Sequence, residues 1–279
     1  MVKIITDSTS DIAKEDQVRM DLTVLPLIVN FGEQSYKDEI EISRGEFYDK
    51  LEKAEELPTT SQVNPAEFEE VFQKAIDDGD EVVAILISSE LSVTYQSAVI
   101  AADMVSSDKI HIVDSTSGSF GLALLVKEAV KLKEAGFSAK DIADRIRDLT
   151  KRLRLVAVID TLKYLKMGGR LSATSAMIGG FLGIHPVLKV QEGKIIPVGK
   201  ARSTKSGLKK LKEFLDNEPA DFKYGFSFGH SNARDRLDNC IDYFKPFLET
   251  DDILICNIGS VVGTHTGPGV VGISYITKE

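Results

Sequence analysis

The stretch Val82–Val105 reads VVAILISSELSVTYQSAVIAADMV and contains a strand, a turn and a helix in succession. Six consecutive apolar residues, Val82–Ile87, are typical of a buried strand. After a serine-rich turn, apolar residues recur at helical spacing from Tyr95 to Val105. Because an open α/β sheet binds ligands at the carboxyl ends of its strands, this unit predicts both the fold class and the position of a ligand site.

The serine-rich turn has the chemistry of a small-anion site. A helix N-terminus offers unpaired N–H groups and a partial positive charge. Ser92 and Thr94 add side-chain donors at the same point. Capping of the helix by Ser92 is the simpler interpretation, and this stretch taken alone favours it.

Other strands end in turns of the same kind. Ile5–Ser10 and Ile112–Ser117 read ITDSTS and IVDSTS, and capping of the next helix is the simpler role of their hydroxyl groups. Between them, Thr23–Phe31 has the composition of a single strand, and Gly32–Lys37 is typical of a hairpin turn. Strands alternate with helices up to about residue 150, which predicts a largely parallel sheet covered by helices on both faces.

The pattern of strands and helices restarts near Arg154. Glu192-Gly193 is a hairpin signal between two apolar runs, and Gly259–Gly269 has the composition of a glycine-rich loop before the last strand. We therefore predict two α/β domains, residues 1–154 and 155–279, the second with a mixed sheet and helices. The boundary lacks the composition of a flexible linker, so we expect the domains to stay packed together.

Composition excludes several classes of function. The 279 residues carry a formal net charge of −9, which disfavours nucleic acid binding unless basic residues cluster strongly. No apolar run is long enough to span a bilayer, and the first residues turn acidic too early for a signal peptide. The two cysteines indicate neither a metal site nor a disulfide framework. We expect a cytoplasmic protein with no transmembrane segment and no nucleic acid partner.

No cofactor motif meets its structural requirements. The four histidines are scattered without metal-ligand spacing, and no phosphate-binding loop occurs. Residues 267–272, GPGVVG, match the dinucleotide fingerprint in letters, but a strand rather than a helix follows them. We expect neither a metal nor a nucleotide cofactor.

One motif supports an enzymatic alternative. Gly225–Gly229 matches G-x-S-x-G, the nucleophile elbow of hydrolases, with Ser227 as the nucleophile and His265 following in the chain. The elbow requires a sharp turn between a strand and a helix, whereas Ser227 lies within a predicted strand. A structural serine is therefore the favoured interpretation. The alternative is a serine hydrolase or acyltransferase acting on acyl esters, with Ser227 or a hydroxyl near His265 as the nucleophile.

Two further features are candidates for a binding role. His265 lies in a glycine-rich segment that permits close approach of the backbone to a ligand. Arg202 precedes a predicted helix with lysines on one face, and a guanidinium is suited to a carboxylate or a phosphate. The basic cluster comprises Lys200, Arg202, Lys205, Lys209, Lys210 and Lys212. A solvated helix face is its simpler interpretation.

Taken together, motifs spread over essentially the whole chain resemble the DegV family of bacterial fatty-acid-binding proteins. They are ITDSTSD near the start, PTTSQ at 58–62, ISSELSVTYQSA at 87–98, VDS at 113–115, LKYLKMGGRLS at 162–172, IHPVLKVQEGKIIP at 184–197 and THTGPGVVG at 264–272. The set is specific, although no single motif is. Two positions depart from the family pattern: Val63 stands where proline often follows TSQ, and His185 where lysine often precedes PVL.

The resemblance implies one long-chain fatty acid between two α/β domains, with its carboxylate near the N-terminal domain and its acyl chain in the other. Matched by motif, Thr60 and Ser92 would contact the carboxylate, while Arg202 and His265 would surround the head group. The predicted carboxylate site comprises Thr60, Ser61, Ser92, Thr94, Arg202, His265 and Thr266. Several donors at one point agree with the high cost of an unpaired buried charge.

The resemblance also implies a carrier rather than an enzyme. Some family members present the fatty acid to a separate ATP-dependent fatty acid kinase, which makes the acyl phosphate. The apolar segment Ala176–Leu182, with its paired glycines, is the expected wall or gate of the acyl pocket. Apart from the fatty acid as ligand, no cofactor is expected, and transient membrane contact is left open.

Overall fold

The computed structural model describes residues 1–172 and 183–279, and the predicted gate Ala176–Leu182 lies outside these ranges. Within them, the strands form three sheets. The strands are β1 (Val2–Asp7), β2 (Leu22–Leu25), β3 (Ile28–Phe31), β4 (Gln34–Lys37), β5 (Thr59–Ser61), β6 (Glu81–Leu86), β7 (Ile110–Asp114), β8 (Leu153–Val158), β9 (His185–Gln191), β10 (Lys194–Ala201), β11 (Phe226–His230), β12 (Ile253–Asn257) and β13 (Val271–Ile276).

Helices follow most of these strands along the chain. They are α1 (Lys14–Arg19), α2 (Arg44–Lys53), α3 (Pro65–Asp77), α4 (Thr94–Val105), α5 (Ser119–Glu134), α6 (Ala139–Arg152), α7 (Lys163–Met167), α8 (Thr204–Asn217), α9 (Arg234–Phe244) and α10 (Ser260–Thr266). No helix in the described ranges is both long enough and apolar enough to cross a bilayer.

The N-terminal sheet has the strand order β2-β1-β6-β7, and all its strands are parallel. The central strand β6 is buried on both faces because its side chains alternate between two cores. Val83 and Ile85 pack in the core under α5 and α6, while Val82 and Ala84 pack in the core under α3 and α4. The predicted strand, turn and helix at Val82–Val105 are therefore confirmed.

The predicted single strand Thr23–Phe31 is wrong. Pro26 separates β2 from β3, which belong to different sheets. Proline has no N–H to give to a sheet ladder, so the chain leaves the first sheet at this point. After the break, β3 pairs with β4 through the predicted hairpin and with β5 on its other side, which positions Thr60.

The C-terminal sheet has the strand order β10-β9-β8-β13-β11-β12. Only its β11–β12 pair is parallel, so the predicted mixed sheet is confirmed. The hairpin at Glu192-Gly193 is also confirmed. Both turn residues have positive φ angles, 49° and 77°, as the commonest two-residue hairpin turn requires.

Helix α5 joins the two sheets into one packed body. It contacts β1 and β6 on one side and β8, β11, β12 and β13 on the other. One hydrophobic cluster accordingly contains Val83 of β6 together with Leu155 of β8. The division into domains at residues 154 and 155 stays a prediction.

The predicted loop Gly259–Gly269 is also wrong, because α10 lies within it. Buried carboxylates from the N-terminal part of the chain bind its first N–H groups. Gly259 N–H donates to Asp11 Oδ1 at 2.8 Å, and Ser260 N–H donates to Asp38 Oδ1 at 3.2 Å. These bonds satisfy helix donors that have no partner within the helix, so tertiary contacts stabilise a helix whose glycine- and threonine-rich sequence does not favour one.

Close packing fixes the position of the same helix. A Cβ atom at Gly263 would lie 2.7 Å from Phe47 Cε1 and 2.7 Å from Tyr48 Oη, so only glycine allows α10 to contact α2 this closely. The Tyr48 hydroxyl donates to the carbonyl of Ile258 at 3.1 Å, immediately before the helix. Helix α10 is thus fixed to residues of the N-terminal part along most of its length.

Asp11 makes the stability of this arrangement depend on pH. Burial raises the pKa of its carboxyl from 3.8 to about 7, although Arg44, Ser119 and Gly259 oppose the rise. The native protein therefore keeps a proton that the unfolded chain loses near pH 4. This contribution to stability is present below pH 4 and is lost as the pH rises through about 7.

We predict that Asp11→Asn removes the loss of unfolding free energy that Asp11 causes as the pH rises. Between about pH 5 and 6, the slope of the unfolding free energy against pH should become more positive by about 1.4 kcal/mol per pH unit, the value for one proton. Urea denaturation at a series of pH values measures this. Asp144→Asn is the control, because its exposed carboxylate has a lowered pKa and is ionised in both states. An unchanged slope in Asp11→Asn would contradict the prediction.

Candidate functional site

A cavity of about 410 Å³ is lined by residues of the C-terminal sheet, of β5, of α5 and α10, and of the turn between β6 and α4. Its apolar wall comes mainly from alternate residues of adjacent strands, which share one face of the C-terminal sheet. These residues are Leu155, Ala157, Leu188, Val190 and Ile195. Ile87 and Phe120 add apolar surface from the N-terminal part.

The polar lining of the cavity contains most of the predicted site residues. Those that line it are Thr60, Ser61, Ser92, His265 and Thr266. They come from β5, from the turn before α4 and from the end of α10. Thr94 lies behind this surface, where it is fully buried and its hydroxyl is 2.9 Å from Ser92 Oγ. Residues that are far apart in sequence thus form one polar surface beside an apolar wall.

The central polar contact joins Thr60 to His265. Thr60 Oγ1 lies 2.8 Å from His265 Nε2, and the two residues are 205 positions apart. Burial and the nearby Arg170 lower the pKa of the His265 imidazole to about 4, so the ring is neutral near pH 7. His265 Nδ1 is buried without a hydrogen-bond partner among the described residues.

These facts favour a proton on Nε2, because a buried N–H donor without a partner is costly. His265 then donates to Thr60 Oγ1, and the Thr60 hydroxyl keeps its own proton for a ligand. Gly168 makes room for the ring, since a Cβ atom there would lie 2.2 Å from Nδ1. The pair is therefore set to present a donor to an anion.

Ser92 lies two residues before the start of α4, so it is not the N-cap that the simple capping interpretation predicts. Helix α4 begins at Thr94, and its N-cap is Val93, which makes no side-chain cap. Ser92 Oγ nevertheless accepts a bond of 3.3 Å from the N–H of Thr94, and Ser92 lines the cavity. The hydroxyl therefore lies both at a helix N-terminus and at the ligand surface.

Arg202 does not line the cavity. Arg202 is exposed and lies in the turn before α8. Its backbone N–H donates to Ser206 Oγ at 3.0 Å. Arg170 lines the cavity instead, and its side chain donates to the carbonyls of Gly168 at 2.5 Å and Leu91 at 3.3 Å. Arg170 belongs to the family motif at 162–172 but was not among the predicted site residues. The sequence signal for a binding role was its position directly after Gly168 and Gly169, because glycines permit close approach of the backbone to a ligand.

Three other polar residues of the lining have structural partners. Ser61 Oγ accepts a bond of 3.2 Å from Asn30 Nδ2, and the Thr266 hydroxyl donates to the carbonyl of Val262 at 3.1 Å. Glu90 is the one carboxylate among the described lining residues, and it pairs with Lys194 at 3.4 Å. The described residues contain no group of acidic, histidine or cysteine side chains that could hold a metal ion.

Ser227 lies away from the cavity lining, within β11. Its side chain is fully buried, and its hydroxyl donates to the carbonyl of Phe120 at 2.8 Å. No sharp turn separates Ser227 from a following helix, because β11 continues to His230. The geometry of a nucleophile elbow is therefore absent at this serine.

Several solved structures have the same architecture. A DegV family protein from Thermus thermophilus, described by its fatty acid binding, is 30% identical with a TM-score of 0.90, and 99% of each chain is covered. A stearic acid-binding protein from Eubacterium ventriosum is 29% identical with a TM-score of 0.89, and the match covers 100% of this chain and 99% of that chain.

Sequence comparison gives the same grouping. A DegV domain-containing protein of Caldanaerobacter subterraneus subsp. tengcongensis is 34% identical over 278 residues, which is 99% of each chain. The family profile described as "Uncharacterised protein, DegV family" matches residues 1–278. Both main sheets and the cavity fall within this match. The chain belongs to the DegV family.

Proposed function

We propose that this protein binds one long-chain fatty acid, with the carboxylate at Thr60 and Ser92 and the acyl chain against the C-terminal sheet. The observation that carries the proposal is a cavity with an apolar wall beside the Thr60–His265 pair. Family members of the same architecture are described as fatty-acid-binding proteins, which supports it.

The acyl chain supplies most of the binding free energy. Each buried methylene group contributes about 0.8 kcal/mol, so a long chain gains on the order of 10 kcal/mol before the costs of ordering and association. Leu155, Leu188 and Ile195 offer the necessary apolar surface. Such binding is tight without any specific polar contact along the chain.

The polar residues would then fix the orientation of the ligand. The Thr60 hydroxyl, held by His265, donates to one carboxylate oxygen, and the Ser92 hydroxyl donates to the same group. The positive end of α4 and the charge of Arg170 offset the cost of removing a carboxylate from water. His265 acts through Thr60 and stays neutral, so it adds no charge of its own.

Thr60→Val tests this orientation, because it removes the hydroxyl group at nearly constant volume. We expect fatty-acid affinity to fall by roughly tenfold to a hundredfold, the loss of one hydrogen bond to a charged acceptor. Calorimetric titration of delipidated protein with oleate measures this. Thr59→Val is the matched control, since Thr59 is an exposed neighbour on β5 that does not line the cavity. Equal affinity in both variants would contradict the assignment.

We propose that the protein is a carrier without catalytic turnover. The serine hydrolase or acyltransferase alternative depends on Ser227, whose buried hydroxyl is bonded to Phe120, or on a hydroxyl near His265. The hydroxyl beside His265 is that of Thr60, and it accepts a bond from the neutral ring instead of giving up its proton to it. Burial raises the pKa of the Cys240 thiol to about 12, so this cysteine is not a reactive nucleophile either. Cys240 and Cys256 are both buried and unpaired, which suits the reducing cytoplasm that we propose as the protein's location.

We further propose that a separate ATP-dependent kinase phosphorylates the bound carboxylate. A carboxylate oxygen would attack the γ-phosphoryl group of ATP, giving the acyl phosphate and ADP. Arg202 lies outside the cavity lining, so its proposed role is in docking the kinase or stabilising the transferred phosphoryl group. The exposed Lys205 and Lys209 extend the same basic surface.

In a reconstituted assay with a bacterial fatty acid kinase and ATP, Arg202→Ala should keep its fatty-acid affinity. Acyl-phosphate formation should fall by about tenfold or more, because charges at the edge of an interface govern association. Arg147→Ala is the control, an exposed arginine on α6 that is paired with Asp144. If Arg202→Ala supports transfer at the wild-type rate, the proposed role of Arg202 is wrong.

A further inference from the structure

A second cavity, of about 420 Å³, shares no described lining residue with the first. It lies at the carboxyl ends of β11 and β12, where His230 and Asn257 are paired in register. These are the two parallel strands of the C-terminal sheet, and α9 is the helix that connects them. The carboxyl ends of parallel strands in an α/β unit are the usual position of a ligand.

The charged side chains in the described lining of this cavity are cationic. Its described lining includes the guanidinium groups of Arg44 and Arg234 and contains no carboxylate. Both arginines have acidic partners outside the lining. Glu39 lies 2.8 Å from Arg44, which also interacts with Asp11 and Asp38, and Asp238 lies 3.1 Å from Arg234. Arg234 uses only Nε for Asp238, so its terminal nitrogens make no hydrogen bond within the described ranges.

His230 supplies a buried donor to the same cavity. His230 is only 7% exposed, and its Nδ1 accepts a hydrogen bond of 3.3 Å from the N–H of Ala233. This bond places the ring proton on Nε2, which has no hydrogen-bond partner in the described part of the chain. Burial and the guanidinium groups of Arg234 and Arg44 lower the pKa of His230, so the ring is neutral.

Asn257 supplies an unused acceptor. Its side-chain oxygen Oδ1 is buried and has no hydrogen-bond partner among the described residues, although Asn257 lines the cavity. A buried polar atom without a partner costs free energy, and a donor from a ligand would remove that cost. The cavity therefore offers cationic donors for an anion and, beside them, an acceptor for a hydroxyl group.

Helix α9 strengthens the preference for an anion. It begins at Arg234, and its N-cap, Ala233, makes no side-chain hydrogen bond to the first turn. The first turn carries the acidic Asp235, which lies outside the cavity lining, so the backbone N–H groups at the helix start are left without a side-chain cap for an external anion. Two guanidinium groups and a helix N-terminus are typical partners of a phosphate.

We propose that this cavity binds a small phosphomonoester that carries hydroxyl groups. The phosphate lies between Arg44 and Arg234 at the start of α9 and accepts a bond from His230 Nε2. A hydroxyl group of the ligand donates to Asn257 Oδ1. The site is independent of the fatty acid, because the two cavities have separate linings.

Calorimetric titration with ribose 5-phosphate, ribose and inorganic phosphate tests the proposal on the full-length protein. Ribose 5-phosphate should bind one-to-one, ribose should not bind, and inorganic phosphate should bind at least about tenfold more weakly than the ester. Absence of ribose 5-phosphate binding at millimolar concentration would overturn the proposal. Equal affinity for the ester and inorganic phosphate would overturn the role of Asn257.

Variants connect binding to the named residues. Arg234→Gln should weaken ribose 5-phosphate at least about tenfold, while Asn257→Leu should lower its affinity to that of inorganic phosphate. Arg19→Gln is the matched control: Arg19 is 68% exposed against 67% for Arg234, it has a similar ion pair, and it lies outside the lining. Equal loss in Arg19→Gln and Arg234→Gln would show a general charge effect and overturn the assignment.

Oleate binding is the independent check of folding. Arg234→Gln should bind oleate as the wild-type protein does, since Arg234 does not line the first cavity. If oleate fails to bind even the wild-type protein, the proposed function fails while the ribose 5-phosphate result still stands. If only the phosphate ester fails, the second site is absent and the fatty-acid proposal is unaffected.

Discussion

The contact between the buried carboxylates of Asp11 and Asp38 and the start of α10 is the constraint on which the site depends. These carboxylates bind the N–H groups of Gly259 and Ser260, although the residues are more than two hundred positions apart. With its N-terminus held, α10 carries His265 to Thr60 on β5. The polar surface of the cavity therefore exists only when the two parts of the chain are packed together.

Features that depend on nearby residues were predictable from the sequence. Six consecutive apolar residues give β6 wherever both faces of a sheet are covered, and Glu192-Gly193 gives a hairpin because of its backbone angles alone. Thr60, Ser92 and His265 were identified through family motifs, and all three line the same cavity. Their spacing in the sequence contains no information about that proximity.

Features that depend on distant contacts were not predictable in the same way. The segment Gly259–Gly269 has poor helix propensity, and buried aspartates from elsewhere in the fold override it. Arg170 and Arg202 have the same chemistry, and only the packing of α7 against α10 brings the first of them to the cavity. The failed prediction at Pro26 is different, since the missing N–H of proline was a local signal against one continuous strand.

Consecutive residues at the end of β12 line different cavities. Asn257 contributes to the polar cavity beside α9, and Ile258 contributes to the apolar cavity beside α10. Successive side chains of an extended segment point to opposite sides, so the backbone between β12 and α10 separates the two cavities. Tyr48 lines the second cavity and donates a hydrogen bond to the Ile258 carbonyl of this backbone. One residue later, Asp11 accepts a hydrogen bond from the Gly259 N–H. Tyr48, one of the groups that fix α10 for the first cavity, therefore also lines the second.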